Sequence, residues 1–287
     1  MKPVEECIIG IVGLGLMGGA VALALRKCGA AGKGKLLACD TDSSALNAAL
    51  AGGVIDEGFV SPEALLERAD LVYLCLNPST LLSFMKARMG SFKNGALITD
   101  IAGVKGAICA AMEETLREDL DFIPGHPMAG SEKGGYACSM YCDFRGKNYI
   151  LTPLKRNKGE HIDYIKKLIR RMGFGKVTET SAAEHDRKIA FTSQLCHVIA
   201  AALIDCEADT NITSFGGGSF EDLTRIAMLN APMWTELFIE NSSALLSRIG
   251  QFEKSLGEIK ALVESGQARV LEERLAAVRE RRLLMNA

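Results

Sequence analysis

Ile8-Ile9-Gly10-Ile11-Val12-Gly13-Leu14-Gly15-Leu16-Met17-Gly18-Gly19-Ala20 decides how this chain is read. An apolar run ends in glycines spaced G-x-G-x-x-G, and a helix-like pattern, Val21-Ala22-Leu23-Ala24-Leu25, follows. Gly13 permits a tight turn, Gly15 lets a pyrophosphate approach the backbone, and Gly18 lets the helix lie close to the strand. Leu16 and Met17 open that helix, whose free N–H groups and positive dipole end suit phosphate. The motif alone is common, and its surroundings give it weight. A second apolar strand, Lys35-Leu36-Leu37-Ala38-Cys39, ends in Asp40, 22 residues after Gly18. A carboxylate there hydrogen-bonds the ribose hydroxyls of a dinucleotide. It also repels a 2′-phosphate, and Thr41-Asp42 offers no arginine to receive one, so NAD is favoured over NADP.

Outward from this loop, strand patterns at 7–12, 35–40, 70–76, 95–100, 121–125 and 148–152 alternate with helical stretches near 16–28, 43–51, 62–68, 79–89 and 104–117. Such alternation predicts an α/β fold with a doubly wound, Rossmann-type parallel sheet. Ser61 and Pro62 read as the cap and first turn of a helix. Asn77-Pro78 closes the strand at 71–76, on the sheet edge where cofactors bind. After Pro153 the pattern changes. We expect an NAD-binding domain over 1–155, a junction helix and strand over 156–180, and an all-helical second domain over 181–287.

The chain has 287 residues, 48% of them apolar, and a net charge of −2. That balance implies no general attraction to nucleic acid or to a membrane surface. We expect no apolar run of membrane-spanning length, and the acidic N-terminus does not read as an export signal. Nine scattered cysteines fit reduced thiols and a cytoplasmic location. Cys138 and Cys142 lack a second pair at zinc-site spacing, so no metal is expected.

Three segments carry candidate chemistry. Phe122-Ile123-Pro124-Gly125-His126-Pro127 ends a strand and places a histidine in the following loop. Beside a nicotinamide, that histidine can take a proton from an alcohol while hydride leaves the same carbon; alternatively it only ties the loop together. The helix from Ser181 carries His185 and, on one face, Ser193 and His197. His185 and His197 stand about 120° apart on a regular helix, and both also read as packing histidines. Gly216-Gly217-Gly218-Ser219 leads into Asp222 and Arg225. Ser219 is a candidate cap, and Arg225 is either a surface partner of Asp222 or a fork for a substrate carboxylate.

Together these pieces resemble the prephenate dehydrogenase family, which includes arogenate and cyclohexadienyl dehydrogenases. The likeness spans nearly the whole chain. It rests on the glycine loop, Thr99-Asp100-Ile101-Ala102-Gly103-Val104-Lys105, Gly125-His126-Pro127-Met128-Ala129-Gly130-Ser131-Glu132, Tyr149-Ile150-Leu151-Thr152-Pro153, Glu184-His185-Asp186, Thr224-Arg225-Ile226-Ala227, Met233-Trp234 and Asn241. The resemblance implies NAD-dependent oxidative decarboxylation of prephenate to 4-hydroxyphenylpyruvate in tyrosine biosynthesis, with arogenate as the alternative substrate. It makes His126 the general base and Arg225 the holder of a substrate carboxylate. Asp222 and Glu132 become acidic partners that position the arginine and gate the site, and His197 and Ser131 join the substrate. Gly13, Gly15, Leu16, Met17, Gly18, Asp40, Asn77 and Asp100 fall to the cofactor. It also implies a homodimer.

Two positions depart from the pattern. Gly103 stands where many relatives carry a serine that orients the histidine or the ring hydroxyl, and Glu221 stands where a basic residue is frequent. A β-hydroxyacid dehydrogenase or imine reductase shares the layout, but its catalytic lysine has only Lys188 as a counterpart here.

Overall fold

The computed structural model describes residues 1–131 and 133–285. Its first half alternates: β1 (Ile8–Val12), α1 (Leu16–Lys27), β2 (Lys35–Cys39), α2 (Ser43–Ala51), β3 (Glu57–Phe59), α3 (Glu63–Leu66), β4 (Leu71–Leu74), α4 (Pro78–Arg88), β5 (Leu97–Asp100), α5 (Gly106–Thr115) and β6 (Asp121–Ile123). The six strands form one parallel sheet in the order β3-β2-β1-β4-β5-β6. Ile9 faces Leu36 on one side and Leu71 on the other. All four residues of β4 are buried, as a sheet covered by helices on both faces requires. The chain leaves β1 towards β2 and later returns to β4 on β1's other side. The crevice between β1 and β4 is therefore the topological switch point, where such sheets bind ligands.

The sheet ends earlier than the sequence suggested. Pro124 takes the chain out of the large sheet after Ile123. β7 (Gly125–Pro127) then pairs antiparallel with β8 (Asn148–Leu151), which pairs parallel with β9 (Lys176–Glu179) beyond α6 (Gly159–Arg171). The strand expected at 148–152 is thus the centre of a second, three-stranded sheet and no part of the parallel one. β3 went unforeseen, since Glu57-Gly58-Phe59 is too short to show a period. Two expected caps also fall elsewhere. Pro62, not Ser61, holds the cap position of α3, and Gly217, not Ser219, that of α9, in both cases with no side-chain bond.

Helices take over from Ala182: α7 (Ala182–Ile189), a π-helical turn at Ala190–Gln194, α8 (Leu195–Asp205), α9 (Gly218–Thr224), α10 (Ala231–Glu240), α11 (Ser242–Glu264) and α12 (Ala268–Leu284). Among the described residues no strand follows β9. Residues 1–241 form one compact unit and 242–287 another. In the second unit α11 and α12 pack together, with Arg274 pairing with Glu258 at 2.6 Å. The charges of α12 are largely solvated, Arg269 reaching forward to Glu273 one turn on.

Candidate active site

The glycine loop lies at the carboxyl end of β1. Gly13 has φ +90, and a Cβ there would meet the Cys75 carbonyl oxygen at 2.4 Å. A Cβ on Gly18 would stand 1.9 Å from the Gly13 carbonyl oxygen. Only hydrogen fits at either place. A Cβ on Gly15 would meet nothing within 4 Å, so the backbone there faces open space. Gly15 also caps α1, and no side chain covers the helix's first N–H groups. An open, uncovered helix end beside a tight glycine turn is what a dinucleotide phosphate fits. Asp40 sits beside it, one carboxylate oxygen accepting the Leu14 N–H at 2.5 Å and the other the Asp42 N–H at 2.8 Å. Asn77 caps α4 at the end of β4 without a side-chain bond to the helix, across the crevice from the loop.

Asp100 behaves differently from the other residues expected at the cofactor. Fully buried, it accepts the Lys105 ammonium at 2.5 Å, the Ala102 N–H at 2.9 Å and the Gly125 N–H at 3.0 Å. It ties the end of β5 to the start of β7. Lys105 is equally buried.

His126 occupies the middle of β7, opposite Ile150. Its Nδ1 lies 2.9 Å from Nε2 of His185, and Nδ1 of His185 lies 2.7 Å from an Asp186 carboxylate oxygen. That carboxylate also accepts the Lys105 N–H at 2.9 Å and the Gly106 N–H at 2.7 Å, at the start of α5. Asn241 donates to the Asp186 carbonyl and to Gln194, and Gln194 donates to the Leu237 carbonyl. Burial pushes the His126 pKa well below the ordinary histidine value, and the neighbouring His185 ring and Lys105 ammonium push the same way. The imidazole is therefore neutral at pH 7, as a base must be. The other edge of the ring faces Gly103, where a Cβ would stand 3.9 Å from Nε2.

The second half of the site gathers on α8 and α10. His197 stacks on Trp234 with ring centres 3.7 Å apart, and its Nδ1 is 2.9 Å from the Ser193 carbonyl oxygen. A carbonyl only accepts, so this nitrogen carries the hydrogen and Nε2 is left as an acceptor. Burial lowers the pKa of His197; the Ser193 bond opposes this and the charge of Arg225 reinforces it. Arg225 opens a short 3₁₀ turn, Arg225–Ala227, that packs against α8. Asp222 lies one turn earlier in α9. Ser131 is exposed, its hydroxyl accepting the Lys133 N–H at 3.2 Å. Glu132 lies outside the described residues.

Two features escaped the sequence. The first is the role of His185, which reads as a packing histidine but is buried against His126. Its neighbour Asp186 was the available hint, a carboxylate that the structure brings within 2.7 Å of His185 Nδ1. The second is the π-helical turn at Ala190–Gln194. Twelve regular steps separate His185 from His197 by about 120°. One π-turn absorbs a residue, leaving about eleven effective steps and roughly 20° between them. The two histidines thereby come close to one face.

Residues 21–178 match the family model described as prephenate dehydrogenase, nucleotide-binding domain, and residues 181–277 the one described as prephenate dehydrogenase, dimerization domain. The chain belongs to the prephenate dehydrogenase family. The prephenate dehydrogenase of Bacillus subtilis is 29% identical over 276 residues, 93% of this chain and 73% of that protein. The A. aeolicus enzyme, crystallised with hydroxyphenyl propionate and NAD+, superposes with a TM-score of 0.86 at 31% identity, covering 99% of this chain and 100% of that one. Synechocystis arogenate dehydrogenase superposes with a TM-score of 0.78 at 26% identity, over 96% and 98% of the two chains.

Proposed function

We propose that this NAD-using dehydrogenase takes prephenate and converts it, with loss of CO2, to 4-hydroxyphenylpyruvate, a step of tyrosine biosynthesis. One face of α10 carries the reading. Leu237 comes within 3.2 Å of where a Cβ on Gly103 would stand, a point only 3.9 Å from His126 Nε2. Trp234, one turn earlier on the same helix, stacks on His197, and His197 feels the charge of Arg225. A single helical surface thus runs from the base to the cationic end. A ring hydroxyl at one end and a carboxylate at the other match prephenate in kind.

NAD, when bound, supplies the hydride acceptor. The residues that would hold it are the 13–18 loop, Asp40 at the adenosine ribose and Asn77 across the crevice. His126 Nε2 takes the proton from the ring hydroxyl as hydride leaves the carbon that bears it, and that carbon becomes a ketone. The resulting dienone is a vinylogous β-keto acid. Its ring carboxylate departs as CO2, the bonding pair enters the ring, and the ring becomes aromatic. Arg225 holds a substrate carboxylate as a bidentate fork, with Asp222 one turn earlier in α9, Ser131 joining the substrate and His197 Nε2 as an acceptor for it.

We also place the protein in the cytoplasm as a homodimer. The continuous helix 182–205 is 24 residues long, with a window of mean hydropathy 1.2, and by length and composition alone it passes for a membrane span. The sequence reading expected no such run. The helix nevertheless carries His185, Gln194 and Asp186, all bonded into the site. Its exposed Phe191, Leu203 and Ile204 are apolar surface that a second copy covers. All nine cysteines are free thiols, as in a reducing compartment.

Steady-state assays with prephenate and with arogenate test the substrate. Prephenate is expected to give the higher kcat/KM, and a higher value on arogenate overturns the assignment.

A further inference from the structure

We propose that His185 and Asp186 are positioning residues that fix His126 as its Nδ1–H tautomer and so present a bare Nε2 to the substrate hydroxyl. The inference rests on the reading of His126 as the base, and the hydrogen-bond inventory carries it. The Asp186 carboxylate only accepts, and it already receives the Lys105 and Gly106 N–H groups. At 2.7 Å, the His185 Nδ1 facing it must be the donor. A neutral His185 then has only a lone pair on Nε2. At 2.9 Å from that lone pair, His126 Nδ1 must carry a hydrogen. The one nitrogen left without a proton is His126 Nε2, on the Gly103 side of the ring.

Gly103 has no side chain with which to hold Nε2, so orientation of this imidazole comes from behind. The backing is rigid. His185 is 1% exposed, Asp186 is pinned to the start of α5, and its carbonyl is held by Asn241. During turnover the substrate O–H bond breaks and an Nε2–H bond forms. The Nδ1 hydrogen stays on His126, now an imidazolium, still donating to His185. The Asp186 carboxylate, through the polarised His185 ring, balances the new charge. No proton needs to reach Asp186. The imidazolium later releases its Nε2 proton to solvent.

The chain has four histidines, so ¹⁵N-histidine NMR of the whole protein resolves the tautomers. The resonances lost in His126→Asn and in His185→Gln assign the two rings. In the unmodified protein at neutral pH, the His126 signals are expected to show protonated Nδ1 and bare Nε2, and His185 the same pattern. A His126 with its hydrogen on Nε2, or a doubly protonated His185, overturns the proposal without any variant. His185→Leu removes the acceptor. It is expected to abolish the tautomer preference of His126 and lower kcat about 10²-fold or more, with KM for prephenate and NADH affinity changed by a few-fold at most. His185→Gln, whose carbonyl can accept from Nδ1, is expected to restore the tautomer and part of the rate. Full activity in His185→Leu with an inactive His126→Asn sinks the relay and spares the base. Full activity in His126→Asn sinks the base itself.

Discussion

A histidine works as a base only while one of its nitrogens is bare, and His126 is kept so first by burial and then by its neighbours His185 and Lys105. The sign follows directly. Its folded pKa lies below that of the unfolded chain, so the fold binds fewer protons as pH falls through the ordinary histidine value. The plateau of kcat/KM against pH, which reports the free enzyme, is expected to extend below pH 6.5, the ordinary value, before its acid limb begins; a His126 acid limb centred above that value contradicts the environment described. Stability follows the same linkage. This group's contribution is complete above pH 6.5 and is lost as pH drops from there to its depressed pKa, which urea unfolding at stepped pH measures. Behind the site, Lys105→Met leaves the Asp100 carboxylate buried without its cation. About 3–5 kcal/mol of stability is expected to go with it, and a loss under 1 kcal/mol would show the pair to be dispensable. At the other end, Arg225→Ala is expected to raise KM for prephenate more than it lowers kcat, and an unchanged KM removes Arg225 from the site.

At the level of elements, the glycine loop and the π-turn do comparable work: each fixes where a helix starts or how it is phased. Gly18→Ala sets a methyl group against the Gly13 carbonyl. A loss of about 1–3 kcal/mol is expected, together with NADH binding weakened far beyond what that loss explains, read by fluorescence titration. Removing Thr192 from the π-turn is expected to restore a regular helix, swing His197 about 100° from Trp234, and raise KM while His185 keeps its place. Unaltered KM would show that the turn phases nothing. The glycine loop was legible in the sequence because its physics is local: the spacing of Gly13, Gly15 and Gly18 states the turn, and the Asp40 that ends β2 is read from the same unit. The π-turn was not, because Ala190-Phe191-Thr192-Ser193-Gln194 looks like any helical stretch, and the extra residue is selected by what Gln194 and His185 touch far along the chain. The second sheet was hidden for the same reason. Strands of three and four residues pair across 125, 150 and 177, and only Pro124 hints that the chain leaves the large sheet. His126 reads in the sequence as a residue in the loop after a strand, but it sits in the short strand β7, and its backing by His185 depends on that nonlocal packing.

For the whole molecule, the helices after residue 181 have two tasks. Their inner residues, His185, Gln194 and Asn241, complete the site within the first 241 residues, while large apolar side chains elsewhere, among them Phe215 at 89% exposure and Ile239 at 68%, remain on the surface. In a homodimer such side chains are ones a second copy can cover. Light scattering is expected to give twice the chain mass at micromolar concentration, and a monomer at that concentration contradicts the homodimer. The measurement that bears most directly on the account mixes the purified protein with prephenate and NAD and follows three quantities together: NADH formed, CO2 released and 4-hydroxyphenylpyruvate produced. Equal amounts of all three are expected, with His126→Asn lowering the common rate by about 10²–10⁴. NADH without CO2, or a His126→Asn variant as fast as the parent, would contradict it.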